Sequence, residues 1–204
     1  MARRTGRRPG NPDTREAILA AAREAFAERG FDAASIRAIA AGAGVDPALV
    51  HHYFGTKDQL FLAAMNSPID PQQLIPQVWA GDRDQLGERL VRVFLGIWDS
   101  PAGAAAVALL RSAVSNEWTA RLMREFVLTQ VLRQVVKAAG IEPEEARIRV
   151  PLVGSQLVGL AMVRYIIKIE PFASTPTEAL VAAVGPTVQR YLTDELPGVF
   201  DHLA

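Results

Sequence analysis

Closely spaced helix start and stop signals fill residues 13–66, and they constrain the fold more than any other feature of this sequence. Asp13 or Thr14 can cap a first amphipathic helix, which Gly30 closes. Ser35 can cap a second, short helix. No window of the chain alternates polar and apolar residues convincingly as a strand does, so the sequence predicts an all-α protein.

Two further helix starts follow at once. Asp46 can cap a third helix that has Pro47 in its first turn, where a missing N–H costs nothing. Thr56 and Gln59 have the spacing of a capping box and open a fourth helix that runs to Met65.

Prolines at positions 68, 71 and 76 then interrupt helical continuation and predict a domain junction. We therefore expect a flexible basic arm over residues 1–12, a first helical domain over 13–66 and a second helical domain over 67–204. Within the second helical domain, Pro151 and Pro186 are expected to kink or split their helices. Its amphipathic segments cover 82–98, 102–114, 116–139, 143–170 and 175–196.

Bulk charge identifies no partner, because 22 Lys and Arg balance 22 Asp and Glu. The first eight residues nevertheless carry four arginines and no acid, which fits either a solvated tail or contact with nucleic acid. The chain has no cysteine, which excludes disulfides, thiolate metal sites and a cysteine nucleophile. No apolar run follows the arginines as it would in a secretory signal, so we expect a cytoplasmic protein.

The stretch Val150–Ile169 approaches the length and apolarity of a membrane-spanning helix. Arg164 and Lys168 lie inside it and argue against a bilayer. A helix that is apolar on nearly every side is buried on more than one side, which indicates one face toward the core and one toward another subunit.

A short bracing helix, a glycine-containing turn and a second short helix form a helix-turn-helix pattern, in which the second helix enters the major groove. The segments Ser35–Ala40 (SIRAIA), Ala43–Val45 (AGV) and Leu49–Leu60 (LVHHYFGTKDQL) together resemble the DNA-binding domain of the tetracycline-repressor (TetR) family of bacterial transcriptional regulators. The resemblance covers about residues 14–66. It implies a three-helix DNA-binding domain, a helical ligand-binding and dimerisation domain, no cofactor, and a homodimer on palindromic operator DNA.

In this resemblance, Gly44–Asp46 is the turn into the recognition helix, and the aromatic end of that helix clasps phosphates together with Lys57. A phosphate contact by Lys57 also fits its place in the first turn of a helix, although a solvated lysine is the alternative. Tyr53 can offer its hydroxyl to the DNA backbone or tuck inward. The expected DNA-binding residues are Arg3, Arg4, Arg7, Arg8, Ser35, Arg37, Pro47, Ala48, Leu49, His51, His52, Tyr53 and Lys57.

The recognition helix departs from the family pattern, since Asp46-Pro47-Ala48 stands where Ser-Lys-Gly is frequent. The helix therefore has no Arg, Lys, Asn or Gln for bidentate base contacts. Base reading must then use Pro47, Ala48, Leu49 and the histidines, with Arg37 and the basic arm helping. His51 and His52 lie about 100° apart around a helix, so they do not converge on a metal.

The second domain carries two expected sites. An apolar stripe with the small pair Ser155 and Gly159 suits close helix packing between subunits, although packing inside one subunit explains part of it. The predicted dimer interface is Ser155, Gly159, Val163, Ile167, Val184, Val188 and Tyr191. The predicted ligand-binding residues, which plain core packing also explains, are Trp98, Trp118, Met123, Phe126, Gln130, Gln156 and Met162.

No catalytic constellation is visible: Gly154–Gly159 lacks a nucleophile elbow, and Gly42-Ala43-Gly44 does not extend into a dinucleotide fingerprint. The sequence favours a homodimeric repressor released from DNA by a small apolar or amphipathic effector. The rival is a ligand-independent nucleoid-type or protein-interaction DNA-binding module. The effector, the operator and the direction of regulation stay open at this point.

Overall fold

A computed structural model describes residues 12–196 of the chain. Within this span the chain forms helices and no strand, as the sequence predicts. Contacts divide it into two compact units, Met1–Asn66 and Ser67–Ala204. The α-helices, in chain order, are α1 Pro12–Ala33, α2 Ile36–Gly42, α3 Pro47–Phe54, α4 Lys57–Met65, α5 Pro71–Trp79, α6 Leu86–Asp99, α7 Gly103–Ser115, α8 Glu117–Glu125, α9 Leu132–Ala139, α10 Pro143–Ala161 and α11 Thr177–Thr193.

The first unit has an aromatic core between α1 and α4. Phe61 meets Phe26 edge-on with ring centroids 4.9 Å apart, and it meets Phe31 at 5.3 Å in the same manner. Such edge-to-face pairs add to the free energy gained from burial. Arg23 Nε donates a hydrogen bond to the Ala64 carbonyl (2.9 Å), which ties α1 to α4. Helical geometry is interrupted at Gly30, where the sequence places the end of the helix.

The second unit has its core between α6, α10 and α11. Val91 and Leu95 of α6 pack in one buried cluster with Val153, Leu160, Leu180, Val181 and Val188. Gly87 of α6 and Gly185 of α11 lie where these helices approach most closely, because a Cβ added to Gly87 would meet the Gly185 carbonyl oxygen. A side chain at either position would force the helices apart.

The prolines of the second unit differ in their effect on the helices. Residues 71–79 form α5, in which Asp70 Oδ1 accepts a hydrogen bond from the Gln72 N–H (2.9 Å) and Pro71 occupies the first turn. The chain is not helical between Met65 and Pro71, across Pro68, so helical continuation is interrupted there as the sequence predicts. Pro71 starts α5, where its missing N–H costs nothing, and Pro76 lies inside α5 without splitting it. Pro151 and Pro186 likewise lie inside α10 and α11 without splitting them.

Two wide helical turns interrupt the regular geometry of the second unit. Phe126–Val131 joins α8 to α9 as a π-helix, and Met162–Ile167 extends α10 in the same way. Each wide turn changes the phase of the side chains that follow it.

One described helix, Pro143–Ile167, is long and apolar enough to cross a membrane by length and composition. The helices Arg83–Asp99 and Gly103–Ser115 pass the same test as a pair, but they are bent by 98° at their junction. Val153 and Leu160 place one side of the first of these helices in the buried core.

Candidate nucleic-acid interface and ligand cavity

The helix-turn-helix of the first unit is built by local hydrogen bonds. Ser35 Oγ accepts from the Ala38 N–H (3.1 Å) and caps α2, and Asp46 Oδ1 accepts from the Ala48 N–H (2.8 Å) and caps α3. Between them Gly44 takes a positive φ of 66°, which residues with a side chain adopt only at a cost. The turn between α2 and α3 is thus stabilised by Ser35, Gly44 and Asp46, the residues from which the sequence predicts it.

Helix α3 buries one side and exposes the other. Val50 and Phe54 lie in the core of the first unit, as expected for Phe54. Ala48, His51 and His52 are exposed, and their spacing of three and one places them on the outer side of the helix. Pro47, Leu49 and Tyr53 are half-buried at its margins.

The two histidines differ in their contacts. His51 Nδ1 lies 2.9 Å from the Gly55 carbonyl oxygen. Because a carbonyl oxygen only accepts, Nδ1 is the donor in this bond, and in the neutral tautomer that has this N–H the other ring nitrogen, Nε2, is an acceptor. The His52 ring meets the Tyr53 ring edge-on, with centroids 5.6 Å apart.

The Tyr53 hydroxyl is turned inward. Its oxygen is buried and has no hydrogen-bond partner among residues 12–196. Of the two orientations that the sequence leaves open, the structure therefore has the inward one. A buried hydroxyl without a partner costs free energy, so this side chain gains by reaching a partner.

Lys57 is neither free nor fully solvated. Its Nζ donates to the Asp32 carbonyl (3.2 Å) and lies 4.5 Å from the centroid of the Phe31 ring. The ammonium is thereby held between the start of α4 and the end of α1. An ammonium carries three donors, so this bond leaves N–H groups for a second acceptor.

Other cations flank this surface. Arg37 is exposed on α2, as the sequence predicts for the bracing helix, and Ser35 serves as its cap. Sequence reasoning missed Arg15 of α1, whose guanidinium carbon lies 5.2 Å from the centroid of the Phe54 ring. Arg15 lies far from the helix-turn-helix in the sequence and belongs to no motif, so its position beside the recognition helix could not be predicted. The predicted arm residues Arg3, Arg4, Arg7 and Arg8 lie outside the described residues.

The second unit contains a cavity of about 630 Å³. Its size falls in the range of pockets that hold drug-sized ligands. Most of its wall comes from aliphatic and aromatic side chains of α5, α6, α7, α9, α10 and the π-turn after α8. The aromatic members are Trp79, Phe94, Trp98 and Phe126.

The structure brings together some of the predicted ligand residues and separates others. Trp98, Met123 and Phe126 line the cavity. Trp118 is more than one-third exposed, and Gln130 is buried beside Thr129 with its Nε2 3.5 Å from the Thr129 Oγ1. The predicted residues outside the cavity wall are Trp118, Gln130, Gln156 and Met162.

Arg149 was missed by sequence reasoning and is a buried part of the cavity wall. Its Nε donates to Glu145 Oε1 (2.7 Å), and its Nη1 and Nη2 donate to the carbonyls of Tyr191 (2.7 Å) and Asp194 (2.9 Å). The guanidinium thus satisfies carbonyls at the carboxyl end of α11, where helical partners are lacking. An arginine within an amphipathic stripe gives no sequence signal for this role.

A polar cluster ties α6 to the elements that follow α10. The Tyr165 hydroxyl donates to Asp99 Oδ1 (2.8 Å), and the Thr177 hydroxyl donates to Asp99 Oδ2 (3.2 Å). Burial and then the Asp99 carboxylate raise the pKa of Tyr165 from 10.0 to about 12. The Trp98 ring stacks on Tyr165 with centroids 5.2 Å apart, which places this cluster next to the cavity wall.

The residues predicted for a subunit interface fall into two groups. Ser155, Gly159 and Ile167 are exposed on α10 and its extension, while Val163 is half-buried. Val188 is fully buried in the core of its own unit, and Val184 and Tyr191 pack against that core. Placing Val188 at an interface is therefore wrong, because α6 covers that side of α11.

Metal coordination finds no support in the described part of the chain, where no three His, Asp or Glu side chains come together.

The fold and the two candidate sites together define an all-helical protein with a helix-turn-helix unit followed by a helical unit that holds an apolar cavity.

Comparison with known families agrees with this class. The family described as "Bacterial regulatory proteins, tetR family" matches residues 18–64, and "Tetracyclin repressor-like, C-terminal domain" matches residues 84–192. The second match covers more than half of the chain, and the chain belongs to the TetR family of regulators.

Individual curated relatives match short stretches of the chain. The transcriptional repressor Rv3405c of Mycobacterium tuberculosis is 51% identical over 57 residues, which are 28% of this chain and 30% of the relative. The transcriptional regulator BetI of Rhizobium meliloti is 45% identical over 56 residues, or 28% of each chain. These matches span less than a third of the relatives' length. A TetR-family regulator of Streptomyces coelicolor A3 with a crystal structure is 42% identical, with 93% of this chain and 99% of that chain covered and a TM-score of 0.45.

Proposed function

We propose that this protein is a homodimeric transcriptional repressor that binds operator DNA and is released when a small apolar or amphipathic molecule enters the cavity of its second unit. The observation that carries the proposal is the cavity of about 630 Å³ in the same chain as a helix-turn-helix unit. The ligand-independent rival gives such a cavity no role.

DNA reading is assigned to the outer side of α3. Ala48 is exposed and small enough for close approach to a thymine methyl group, and Leu49 adds apolar surface at the margin. His51 and His52 supply the polar groups of this helix, with Nε2 of His51 free to accept from a base amino group. Base discrimination then comes from few hydrogen bonds, and the flanking cations supply much of the affinity.

Phosphate binding is assigned to Lys57, Arg37, Arg15, Tyr53 and the basic arm. Reorientation of the Tyr53 hydroxyl toward a phosphate would give it the partner that it lacks in the free protein. The Lys57 ammonium is already positioned by the Asp32 carbonyl, so a phosphate contact orders little additional side chain.

A subunit interface is assigned to the exposed side of α10 and α11. Val158 and Ile167 keep 45% and 57% of their surface exposed, which is unusual for large apolar side chains on so apolar a helix. Small residues of α11 that are also exposed, and on which this interface can continue, are Ala179, Ala182, Ala183 and Pro186. Dimerisation through these faces would present two recognition helices to half-sites on a duplex about 34 Å apart, or a multiple of that spacing.

Release requires that the ligand favour a dimer state whose recognition helices no longer match the operator. Its effect on DNA affinity cannot exceed its differential affinity for the two states, so tight binding alone does not suffice. Helix α4 is the proposed lever, because a single residue, Asn66, connects its last residue to the second unit.

The test is a binding titration of the purified full chain on DNA from upstream of its own coding sequence, at several salt concentrations. Lys57→Ala should weaken binding to all sequences alike and reduce the salt slope by about one per subunit. The control is Lys137→Ala, which removes an exposed lysine of α9 in the second unit and should change neither quantity. An unchanged slope for Lys57→Ala would reject the phosphate assignment.

A further inference from the structure

The wall of the cavity has an unusual charge pattern. Among the described residues that line it there is no Asp or Glu, and two arginines, Arg124 and Arg149, are its charged members. Ser67 supplies a polar side chain, and its hydroxyl already donates to the Ile69 carbonyl (2.8 Å). The interior therefore offers a ligand apolar contacts and almost no free hydrogen-bonding group.

Arg149 is not available to a ligand. Three of its nitrogens already donate to Glu145, Tyr191 and Asp194 at distances of 2.7–2.9 Å. Its side chain is 8% exposed, and the Glu145 carboxylate balances its charge. An anionic group deep in the cavity would have to break this arrangement, and an ion without a partner in apolar surroundings is costly.

Arg124 is in a different situation. It lines the cavity from the last turn of α8 and is exposed to solvent. Leu128 also lines the cavity and is also exposed. These two residues therefore define the rim of the cavity. No hydrogen bond or ion pair holds the Arg124 guanidinium within residues 12–196. The Glu117 carboxylate is close enough to attract Arg124, but its hydrogen bond goes to Arg121 Nη2 (2.7 Å), so it does not occupy the N–H donors of Arg124.

We propose that the effector is an amphiphile with a single carboxylate, whose apolar body fills the cavity and whose carboxylate pairs with Arg124 at the rim. This inference rests on the proposed effector site and names the chemical class of its ligand. A guanidinium binds a carboxylate through two parallel N–H donors, and a head group at the rim keeps part of its hydration.

The same charges disfavour a cationic amphiphile. Its ammonium would gain from the aromatic rings of the wall by cation–π attraction. It would, however, meet two arginines and no carboxylate on that wall. A neutral alcohol of the same length would keep the apolar contacts and lose the ion pair, which makes it the reference ligand.

The experiment measures dissociation constants of decanoate, decanol and decyltrimethylammonium for the full chain, below their micellar concentrations, by calorimetry or by fluorescence of its tryptophans. We expect decanoate to bind more tightly than decanol, and decyltrimethylammonium to bind most weakly. Arg124→Gln should weaken decanoate binding about twofold to fivefold, the range of an exposed ion pair, and leave decanol binding unchanged. The control, Arg147→Gln, removes an exposed arginine of α10 that lies outside the cavity wall, and it should alter the affinity of neither ligand.

The outcomes separate the two proposals. Decanol binding with no preference for decanoate, or a preference that survives Arg124→Gln, would overturn the carboxylate assignment and leave an apolar effector site standing. Equal binding of decyltrimethylammonium would also overturn it. If none of the three binds, the inference is rejected. The proposed function would be rejected by a different result, namely that the protein does not bind a specific site in its upstream DNA.

Discussion

Gly87→Ala tests the close crossing of α6 and α11, on which the placement of the proposed dimer helix depends. A Cβ at this position would meet the Gly185 carbonyl oxygen, the Gln189 nitrogen at 2.5 Å and the Gln189 Cα at 2.8 Å. All three are backbone atoms, so no side-chain rotation relieves the overlap. Separation of the helices would also strain the hydrogen bond from the Gly87 N–H to Gln189 Oε1 (2.7 Å).

The magnitude follows from two opposing effects. Inserting a carbon into a packed core costs about 1–3 kcal/mol. Replacing glycine by alanine in a helix gains at most about 1 kcal/mol, and less in the first turn, where Gly87 lies. The net loss in the free energy of unfolding should therefore be about 1–2 kcal/mol.

Gly96→Ala is the matched control. Gly96 lies on the same helix, and a Cβ there would meet nothing within 4 Å. The same chemical change should stabilise the protein by about 0.5–1 kcal/mol, because only the helix propensity changes. The two substitutions should thus move stability in opposite directions.

Urea denaturation followed by tryptophan fluorescence measures this difference. The three tryptophans lie at positions 79, 98 and 118, all in the second unit, so the signal reports on that unit alone. A Gly87→Ala variant as stable as the unmodified protein, or as stable as Gly96→Ala, would refute the close crossing.

Three further predictions concern function and pH. Gly159→Leu should shift the protein toward monomer in analytical ultracentrifugation if helices cross closely there, and a wild-type protein that is monomeric at micromolar concentration would reject the interface. Phe126→Ala should reduce the response of DNA binding to a cavity ligand while leaving affinity without ligand intact; a loss of affinity would instead assign Phe126 to the fold. The pKa of Tyr165 is raised in the folded protein to about 12, so its contribution to stability should be complete below pH 10 and be lost as pH rises through about 12. Alkaline unfolding with and without Tyr165→Phe measures that loss, and identical profiles would contradict it.

The sequence predicts the first unit well because its signals are local. Ser35, Asp46 and Thr56 cap helices through hydrogen bonds to residues two or three positions ahead, and the structure has each of these bonds. Gly44 lies in the turn with the positive φ for which glycine is suited. Such features need no tertiary information.

Prediction fails where tertiary packing decides. In a regular helix, Met123, Phe126 and Gln130 would share one face, but the π-turn from Phe126 shifts the phase so that the wall continues through Val127, Val131 and Val135. The sequence carries no clear mark of that turn. Gln130 consequently lies in the core beside the cavity wall.

Contacts between segments that are distant in the sequence also decide the positions of Val188 and Arg149. Val188 belongs to an apolar stripe of α11 that suits either a subunit interface or the core, and the packing of α6 against it decides for the core. The bonds of Arg149 join residues more than 40 positions apart, which no local pattern reveals.

The central claim is that a ligand in the cavity controls sequence-specific DNA binding, and footprinting tests it most directly. The full chain should protect one two-fold symmetric site in the DNA upstream of its own coding sequence, and a member of a panel of small hydrophobic compounds should abolish that protection. Protection spread without preference over unrelated DNA, and unchanged by every compound in the panel, would contradict the claim and support a ligand-independent DNA-binding module.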